Sequence, residues 1–316
     1  MRFFDLFAGI GGFRLALERQ GHECVGFCEI DRFARQTYKA NFDTEGEVEW
    51  HDITAVTDEI VRGLRGQVDL IAGGVPCQAW SVAGQQKGLE DPRGQMWFEI
   101  DKFLEATKPK YFIFENVKGL LSQKNSKAFT SILESLCAQG YEVDFKVLNS
   151  KDFGVPQNRE RVFIVGRRVC DVTWPREYKK GGVRVVTSSE RARVVAEGNP
   201  AINLFQFRWP EPLEEPVKLS SVLESEVDPK YILGKEKTER VIKRVIEATA
   251  ESSLLENKKP GSVIQVGNIS PIYKRANPNQ GRVYHPEGVS PTLTTMQGGG
   301  REPKIIQRGR GYNKGG

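Results

Sequence analysis

The chain has 316 residues, of which 39% are hydrophobic and 28% charged, which is typical of a globular protein with one large domain and a smaller one. The net charge of +5 is compatible with a polyanionic partner, and no apolar run reaches the roughly 18 residues that a membrane-spanning helix needs. Without a recognisable secretion signal, the protein is expected to be cytoplasmic with reduced cysteines. Five cysteines and three histidines offer few ligands, so no metal site is expected.

Residues 1–170 alternate short apolar strands with helical patterns. The strand RFFDL precedes the helix GFRLALERQG, and the strand ECVGFCEI precedes the helix DRFARQTYKANF. The strands VDLIAGG, YFIFENV, EVDFKVLN and RVFIVGR follow, with helices over WFEIDKFLEAT and AFTSILESLCAQG among them. This alternation predicts an α/β fold with a doubly wound sheet, mixed but mainly parallel. The loops after the strand carboxyl ends are expected to bind ligands.

The composition of the sequence changes beyond residue 170, and the alternation of strands and helices fades. Proline, glycine and serine become frequent, and one clear helical pattern remains at 236–251. We expect residues 171–302 to form a smaller, irregular, β-rich domain and residues 303–316 a flexible tail. The stretch from Arg159 to Arg193 is rich in arginine and lysine, which fits either a polyanion-binding face or a solvated surface.

The segment DLFAGIGGF resembles a ligand-binding loop. It places Gly9, Gly11 and Gly12 between a strand and a helix, and Glu29 ends the next strand, where a carboxylate can accept from ribose hydroxyls. Asp5, just before the loop, would repel a pyrophosphate. A methionine moiety carries an ammonium group, so these residues favour S-adenosyl-L-methionine over a dinucleotide. A turn that needs glycine for its backbone alone is the alternative.

Cys77 lies at the end of another predicted strand. It follows VDLIAGGV and is preceded by Pro76, which stiffens the loop, and the polar, glycine-rich segment Ser81–Gly94 after it is predicted to be a lid. A cysteine at the ligand-binding edge is a candidate nucleophile, whereas a lone cysteine is more often a small buried residue. The residues alone leave both interpretations open.

Charged residues mark two further strand ends. Glu115 ends the apolar run FIFENV, where a carboxylate is costly unless a partner binds it. Arg159 and Arg161 stand two apart at the start of RVFIVG, so both are expected on one face of a strand. Each arginine seen alone would be an ordinary surface ion pair.

Taken in order, these segments resemble the cytosine-C5 DNA methyltransferases of bacterial restriction–modification systems. The matching segments are DLFAGIGGF, the strand end at Glu29, HDIT, GGVPCQAWS, FENV and QNRERVFIVG. The likeness covers residues 1–168 and resumes at RVYHPEGVSPTLTTMQGGG. It implies a DNA (cytosine-5-)-methyltransferase with the fold of S-adenosylmethionine-dependent enzymes, acting on specific double-stranded DNA that it protects from a cognate restriction enzyme. Residues 171–302 would be its target-recognition domain.

The resemblance also implies roles for individual residues. The cofactor-binding set would be Phe7, Gly9, Gly11 and Gly12 in the loop, Glu29 at the ribose, Ile30 at the adenine, Asp52 and Ile53 at its polar edge, and Pro76 beside the methyl sulfonium. The catalytic set would be Cys77, which attacks C6 of a flipped-out cytosine, Glu115 at N3 and the exocyclic amine, Arg161 at O2, and Arg159 in support.

The sequence departs from the family pattern at three places. Val75 replaces a usual aromatic residue before Pro-Cys, and Trp80 replaces a usual phenylalanine; both exchanges are apolar and are expected to change packing alone. Family members also carry a C-terminal Gly-Asn-x-Val motif that completes the methionine end of the cofactor pocket, and this sequence lacks one. A truncated product, a fragment and one chain of a two-chain enzyme with a complementing C-terminal chain are the three interpretations.

Two other functions remain open from sequence. One branch of the family methylates tRNA cytosine, although the basic second domain and the PTLTT segment favour DNA. A truncated, inactive DNA-binding remnant is the second alternative, and the missing C-terminal motif is its only support.

Overall fold

The computed structural model describes residues 1–76, 96–169, 188–228, 261–268, 282–292 and 304–305, with single positions between 232 and 243. Cys77, the predicted lid at Ser81–Gly94 and most of the predicted helix at 236–251 lie outside the described residues. Two compact units are present: Met1–Leu148 with Arg161–Trp209, and Asn149–Glu160 with Pro210–Gly316. The domain bounds 1–170, 171–302 and 303–316 stay predictions.

The first unit is built around a seven-stranded sheet. Its strands are β1 (Arg2–Leu6), β2 (Glu23–Cys28), β3 (Val48–Trp50), β4 (Leu70–Gly74), β5 (Tyr111–Val117), β6 (Tyr141–Asn149) and β7 (Glu160–Arg168). Its helices are α1 (Gly12–Glu18), α2 (Arg32–Asn41), α3 (Asp58–Arg62), α4 (Met96–Thr107), α5 (Ser126–Ala138) and α6 (Ser188–Glu197). The strand order is β3-β2-β1-β4-β5-β7-β6.

Strand direction confirms the expected mixed, mainly parallel sheet. β1 pairs in parallel with β2 and β4, β2 with β3, and β4 with β5, whereas β5 and β7 are antiparallel. The carboxyl ends of β1 to β5 therefore meet at one edge, where open α/β sheets bind their ligands.

Burial explains why these segments form a central sheet. In β1, the four residues after Arg2 are buried, as expected for an inner parallel strand covered on both faces. The core continues through stacked rings: Phe112 lies 4.9 Å from Phe114 and 5.1 Å from Tyr141 between ring centroids. The carboxyl ends of the strands therefore rest on a closely packed hydrophobic core.

The second unit has little regular structure among its described residues. Its sheet consists of β8 (Gln265–Asn268), β9 (Arg282–Tyr284) and β10 (Lys304–Ile305). β8 and β9 are antiparallel, and β9 and β10 are parallel. This confirms the expected irregular, β-rich part of the fold. In the described portion of the chain, no helix is long and apolar enough to cross a membrane.

Candidate active site

The loop after β1 has a backbone that only certain residues accept. Phe7, Gly9 and Gly11 have φ angles of 53°, 57° and 94°, in the left-handed region. A Cβ on Gly11 would lie 2.2 Å from the Phe42 ring. Both its positive φ angle and this clash therefore favour glycine at position 11. A Cβ on Gly9 or Gly12 would meet nothing within 4 Å, so the loop has open space beside it.

Glu29 ties this loop to the end of β2. Its Oε2 accepts from the Gly9 backbone N–H at 2.8 Å, and its Oε1 accepts from the Asp31 N–H at 2.8 Å. Each carboxylate oxygen retains a second lone pair, which is compatible with a ribose hydroxyl. Ile30, next to it, is 70% exposed, which is unusual for isoleucine and fits a residue that a ligand covers.

Asp52 and Ile53 lie past the end of β3, the strand next to β2. Asp52 Oδ1 accepts from the Thr54 N–H at 2.9 Å and from the Thr54 hydroxyl at 2.7 Å, so it caps the 3₁₀ turn Ile53–Ala55. The Ile53 side chain is buried in the core, which leaves its backbone as the part available to a ligand. The Glu29 N–H donates to Trp50 O at 3.1 Å, so these two strand ends are adjacent.

A buried carboxyl lies beneath the loop. Asp5 in β1 is fully buried, and its Oδ1 has no hydrogen-bond partner among the described residues. The Tyr38 hydroxyl donates to its Oδ2 at 3.4 Å. Burial raises the pKa of Asp5 well above its usual range, which favours the neutral acid. A neutral, buried Asp5 would not repel a pyrophosphate, so the charge argument from the sequence is not supported. The unpaired buried oxygen and the open glycine loop still fit a polar ligand such as S-adenosyl-L-methionine.

The ends of β4 and β5 meet beside the segment that leads to Cys77. The Val75 N–H donates to Glu115 O at 3.1 Å, and Asn116 Nδ2 donates to Val75 O at 3.5 Å. Asn116 is fully buried, and its hydrogen bond joins the end of β5 to the segment that follows β4. Pro76 is the last described residue before Cys77. The sequence offered one signal for Asn116, namely its place at the end of an apolar strand.

Glu115 and Arg161 form an ion pair across β5 and β7. Arg161 Nε lies 2.8 Å from Glu115 Oε1, and the two side chains are 17% and 19% exposed. The strand register sets Arg161 opposite Val117, two residues beyond Glu115. A carboxyl group and a guanidinium held together in partial burial can bind both the acceptor and the donor edges of a heterocycle.

Arg159 belongs to the second unit, whereas Glu115 and Arg161 belong to the first. The Arg159 N–H donates to Asn149 Oδ1 at 3.0 Å, and the Arg159 carbonyl accepts from the Ser150 N–H at 3.1 Å. Asn149 was not among the sequence-predicted residues, because its contact depends on how the loop folds back.

Neither a metal centre nor a disulfide is found among the described residues. No group of three or more His, Cys, Asp or Glu side chains there could hold a metal ion. Cys24, Cys28 and Cys137 are buried free thiols, and burial raises their pKa to about 12, 12 and 11.

Comparisons with known proteins identify the family of this chain. The sequence model of the C-5 cytosine-specific DNA methylase family matches residues 1–305. The orphan methyltransferase M.SPRI of Bacillus phage SPR is 37% identical over 305 residues, which cover 95% of this chain and 65% of the phage protein. The type II methyltransferase M.HgiCII of Herpetosiphon aurantiacus is 47% identical over 216 residues, which cover 66% of this chain and 48% of that protein.

A solved structure gives the same fold. The crystal structure of a Spodoptera frugiperda DNMT2 mutant matches with a TM-score of 0.53 at 25% identity, covering 76% of this chain and 65% of that one. The chain thus spans 48% to 65% of the length of these three relatives. With a family match over nearly all of its residues, this chain belongs to the C-5 cytosine-specific DNA methylase family.

Proposed function

We propose that this chain transfers a methyl group from S-adenosyl-L-methionine to C5 of a flipped-out cytosine in a specific double-stranded DNA sequence. The observation that carries the proposal is the 2.8 Å ion pair between Glu115 in β5 and Arg161 in β7. The end of β5 also contacts Val75, in the segment that leads into Cys77. Family membership supports cytosine as the base and DNA as the substrate.

Cofactor binding falls to the loops after β1, β2 and β3. Bound S-adenosyl-L-methionine would supply an electrophilic methyl group on its sulfonium. The main chain of Phe7 to Gly12 would approach the methionine part, and Glu29 would accept from the ribose while it holds Gly9. Ile30 and the Asp52–Ile53 turn would flank the adenine, with Pro76 near the methyl group.

The reaction requires a nucleophile and a way to hold the charge that its attack creates. The Cys77 thiolate attacks C6, which forms a C–S bond and moves the C5–C6 electron pair toward the ring, so that C5 becomes nucleophilic. Glu115, protonated as the adduct forms, donates to N3 and accepts from the exocyclic amine, and Arg161 donates to O2, so that both stabilise the negative charge that develops on the ring. Arg159 supports the site. Methyl transfer to C5 would leave the cofactor as a neutral thioether. The C5–H bond then breaks and its proton passes to solvent, while its electron pair restores the C5–C6 double bond and the C6–S bond breaks to release the Cys77 thiolate.

The base must leave the duplex for these contacts to form, because C6 and N3 are inaccessible within stacked, paired DNA. The basic residues of 171–302 are proposed to bind the phosphates, with salt-dependent affinity, as the target-recognition domain. Protection of DNA from a cognate restriction enzyme and a cytoplasmic location complete the proposal. M.HgiCII is named a type II methyltransferase, whereas M.SPRI is named an orphan methyltransferase.

One labelling experiment tests the proposal. The purified chain is incubated with tritiated S-adenosyl-L-methionine and either mixed-sequence DNA or tRNA. We expect label on DNA and a loss of more than about 1000-fold in Cys77→Ser. Cys137→Ser is the matched control, since it exchanges a buried thiol outside the proposed site. A parallel series adds the C-terminal segment of M.SPRI, which tests whether a complementing C-terminal chain is needed.

Three outcomes contradict the proposal. Label on tRNA alone would assign the RNA substrate. Label on DNA that survives Cys77→Ser would remove the covalent mechanism. No label in either series would leave a DNA-binding protein without methyl transfer.

A further inference from the structure

The loop Asn149–Glu160, which carries Arg159, is closed by a network of hydrogen bonds within the second unit. Ser150 Oγ donates to Gln157 O at 2.6 Å, and the Ser150 N–H donates to Arg159 O at 3.1 Å. The loop is also pinned from outside, because the Asn158 N–H donates to Ser290 O and the Ser290 N–H donates to Pro156 O, both at 2.7 Å.

Asn149 is the side chain on which this loop closes. Its Oδ1 accepts from the N–H groups of Arg159, at 3.0 Å, and Lys151, at 3.3 Å. Its Nδ2 donates to Asn158 Oδ1 at 2.7 Å. One half-buried carboxamide therefore joins the start of the loop to its end, on either side of the turn that precedes β7.

We propose that Asn149 is a positioning residue for Arg159: its carboxamide fixes the backbone that carries this guanidinium, which the proposed function counts among the groups that support the reaction. The inference rests on the proposed function, since it needs a reaction in which Arg159 takes part. Arg159 is bound at its N–H and its carbonyl by the two residues Asn149 and Ser150, so the backbone beneath the side chain has little freedom. A displacement of about 1 Å at such a residue lowers reaction rates by up to about 100-fold.

The test compares variants of the full chain by single-turnover methyl transfer to DNA. We expect Asn149→Ala to lower the rate about 10–100-fold while DNA affinity and the melting temperature stay close to those of the parent. Asn149→Asp is expected to restore most of the rate. Its carboxylate still accepts from the Arg159 N–H, and the amide of Asn158 can rotate to donate to it.

Asn199→Ala is the matched control. Asn199 makes the same two kinds of bond, from Nδ2 to Glu134 Oε1 at 2.7 Å and from the Ala201 N–H to Oδ1 at 3.0 Å, but it lies in the first unit. Its loss is expected to leave the rate unchanged.

A double-mutant cycle separates positioning from general support of the fold. If Asn149 acts through Arg159, then Asn149→Ala lowers the rate in the parent and has no further effect in Arg159→Ala. Additive losses would overturn the inference, as would equal rates for Asn149→Ala and Asn199→Ala, or a rate that falls only together with DNA affinity and melting temperature. A parent chain that labels no DNA, either alone or with the C-terminal segment of M.SPRI, overturns the proposed function itself, and this inference with it.

Discussion

The first unit, residues 1–148 and 161–209, contains all of the largest fully buried side chains of the described chain, among them Phe4, Phe114 and Tyr141. The second unit buries fewer of its described side chains, among them Val283, Tyr284 and Val289, and its loops are joined by backbone hydrogen bonds. The two units therefore hold their proposed functional residues in different ways. Groups that must hold a fixed geometry lie at the ends of packed strands, whereas Arg159, on a loop, is held by polar contacts.

The largest expected effect tests the packed base of the first unit. Phe114→Ala removes a ring from β5, on the strand that carries Glu115, and should lower the free energy of unfolding by about 3–5 kcal/mol. Urea unfolding followed by tryptophan fluorescence measures this loss, because all five tryptophans fall within the sequence ranges of the first unit.

Val283→Ala in β9 is the counterpart in the second unit. It deletes two buried carbons, for about 1.6 kcal/mol or less of transfer free energy, and should alter circular dichroism unfolding more than tryptophan fluorescence. A fluorescence transition that coincides with the circular dichroism transition in Val283→Ala would mean that the two units unfold together.

Ion pairs give the next contrast. Arg14 in α1 is buried and donates to both oxygens of Glu47 at 2.8 Å, as well as to Glu18. Arg14→Met leaves the largely buried carboxylate of Glu47 uncompensated and should cost roughly 2–3 kcal/mol by urea unfolding. Lys218→Met is the control, because its 2.8 Å pair with Glu287 is exposed and should contribute nothing measurable. Equal losses in the two variants would show that burial does not determine how much an ion pair contributes to the free energy of unfolding.

The smallest effect concerns proton binding at Asp5. Burial raises the pKa of Asp5, so the folded chain keeps a proton that the unfolded chain loses above about pH 3.9. This contribution to stability is complete below that pH and is lost as the pH rises toward the folded pKa. Asp5→Asn removes the dependence. Its melting temperature relative to the parent should therefore rise between pH 5 and pH 8.

Asp69→Asn provides the opposite sign when the same measurement is extended below about pH 5. Hydrogen bonds from the Arg2 N–H and Lys110 lower the pKa of Asp69, so its contribution is present above the unfolded pKa and is lost on acidification. This variant should lose most, relative to the parent, at neutral pH. A common slope for both variants would refute the assignment for Asp5.

The sequence predicted the long elements well because their signals are long. β1, β4 and β5 are apolar runs beside turn residues, and α5 has a clear helical period. β3, with three residues, and α3, with five, are too short for periodicity and were not predicted. The individual strand directions also escaped prediction, since alternation does not distinguish parallel from antiparallel pairing.

The candidate site divides in the same way. Glycines, the acidic end of β2 and Glu115 are visible in sequence because they interrupt local patterns. The contact between Glu115 and Arg161, 46 positions apart, depends on β5 and β7 being neighbours. Asn149 had no signal, because an asparagine at the end of a strand is ordinary until the loop closes on it.

The three buried thiols have a practical consequence for chemical labelling. Alkylating reagents attack the thiolate, and with pKa values of about 12, 12 and 11 the sulfurs of Cys24, Cys28 and Cys137 remain protonated near neutral pH. They should therefore stay unmodified in the folded protein under mild conditions. Any rapid uptake of an alkylating probe would then come from Cys77 or Cys170, so intact mass alone would count the reactive sulfurs without any substitution in the chain.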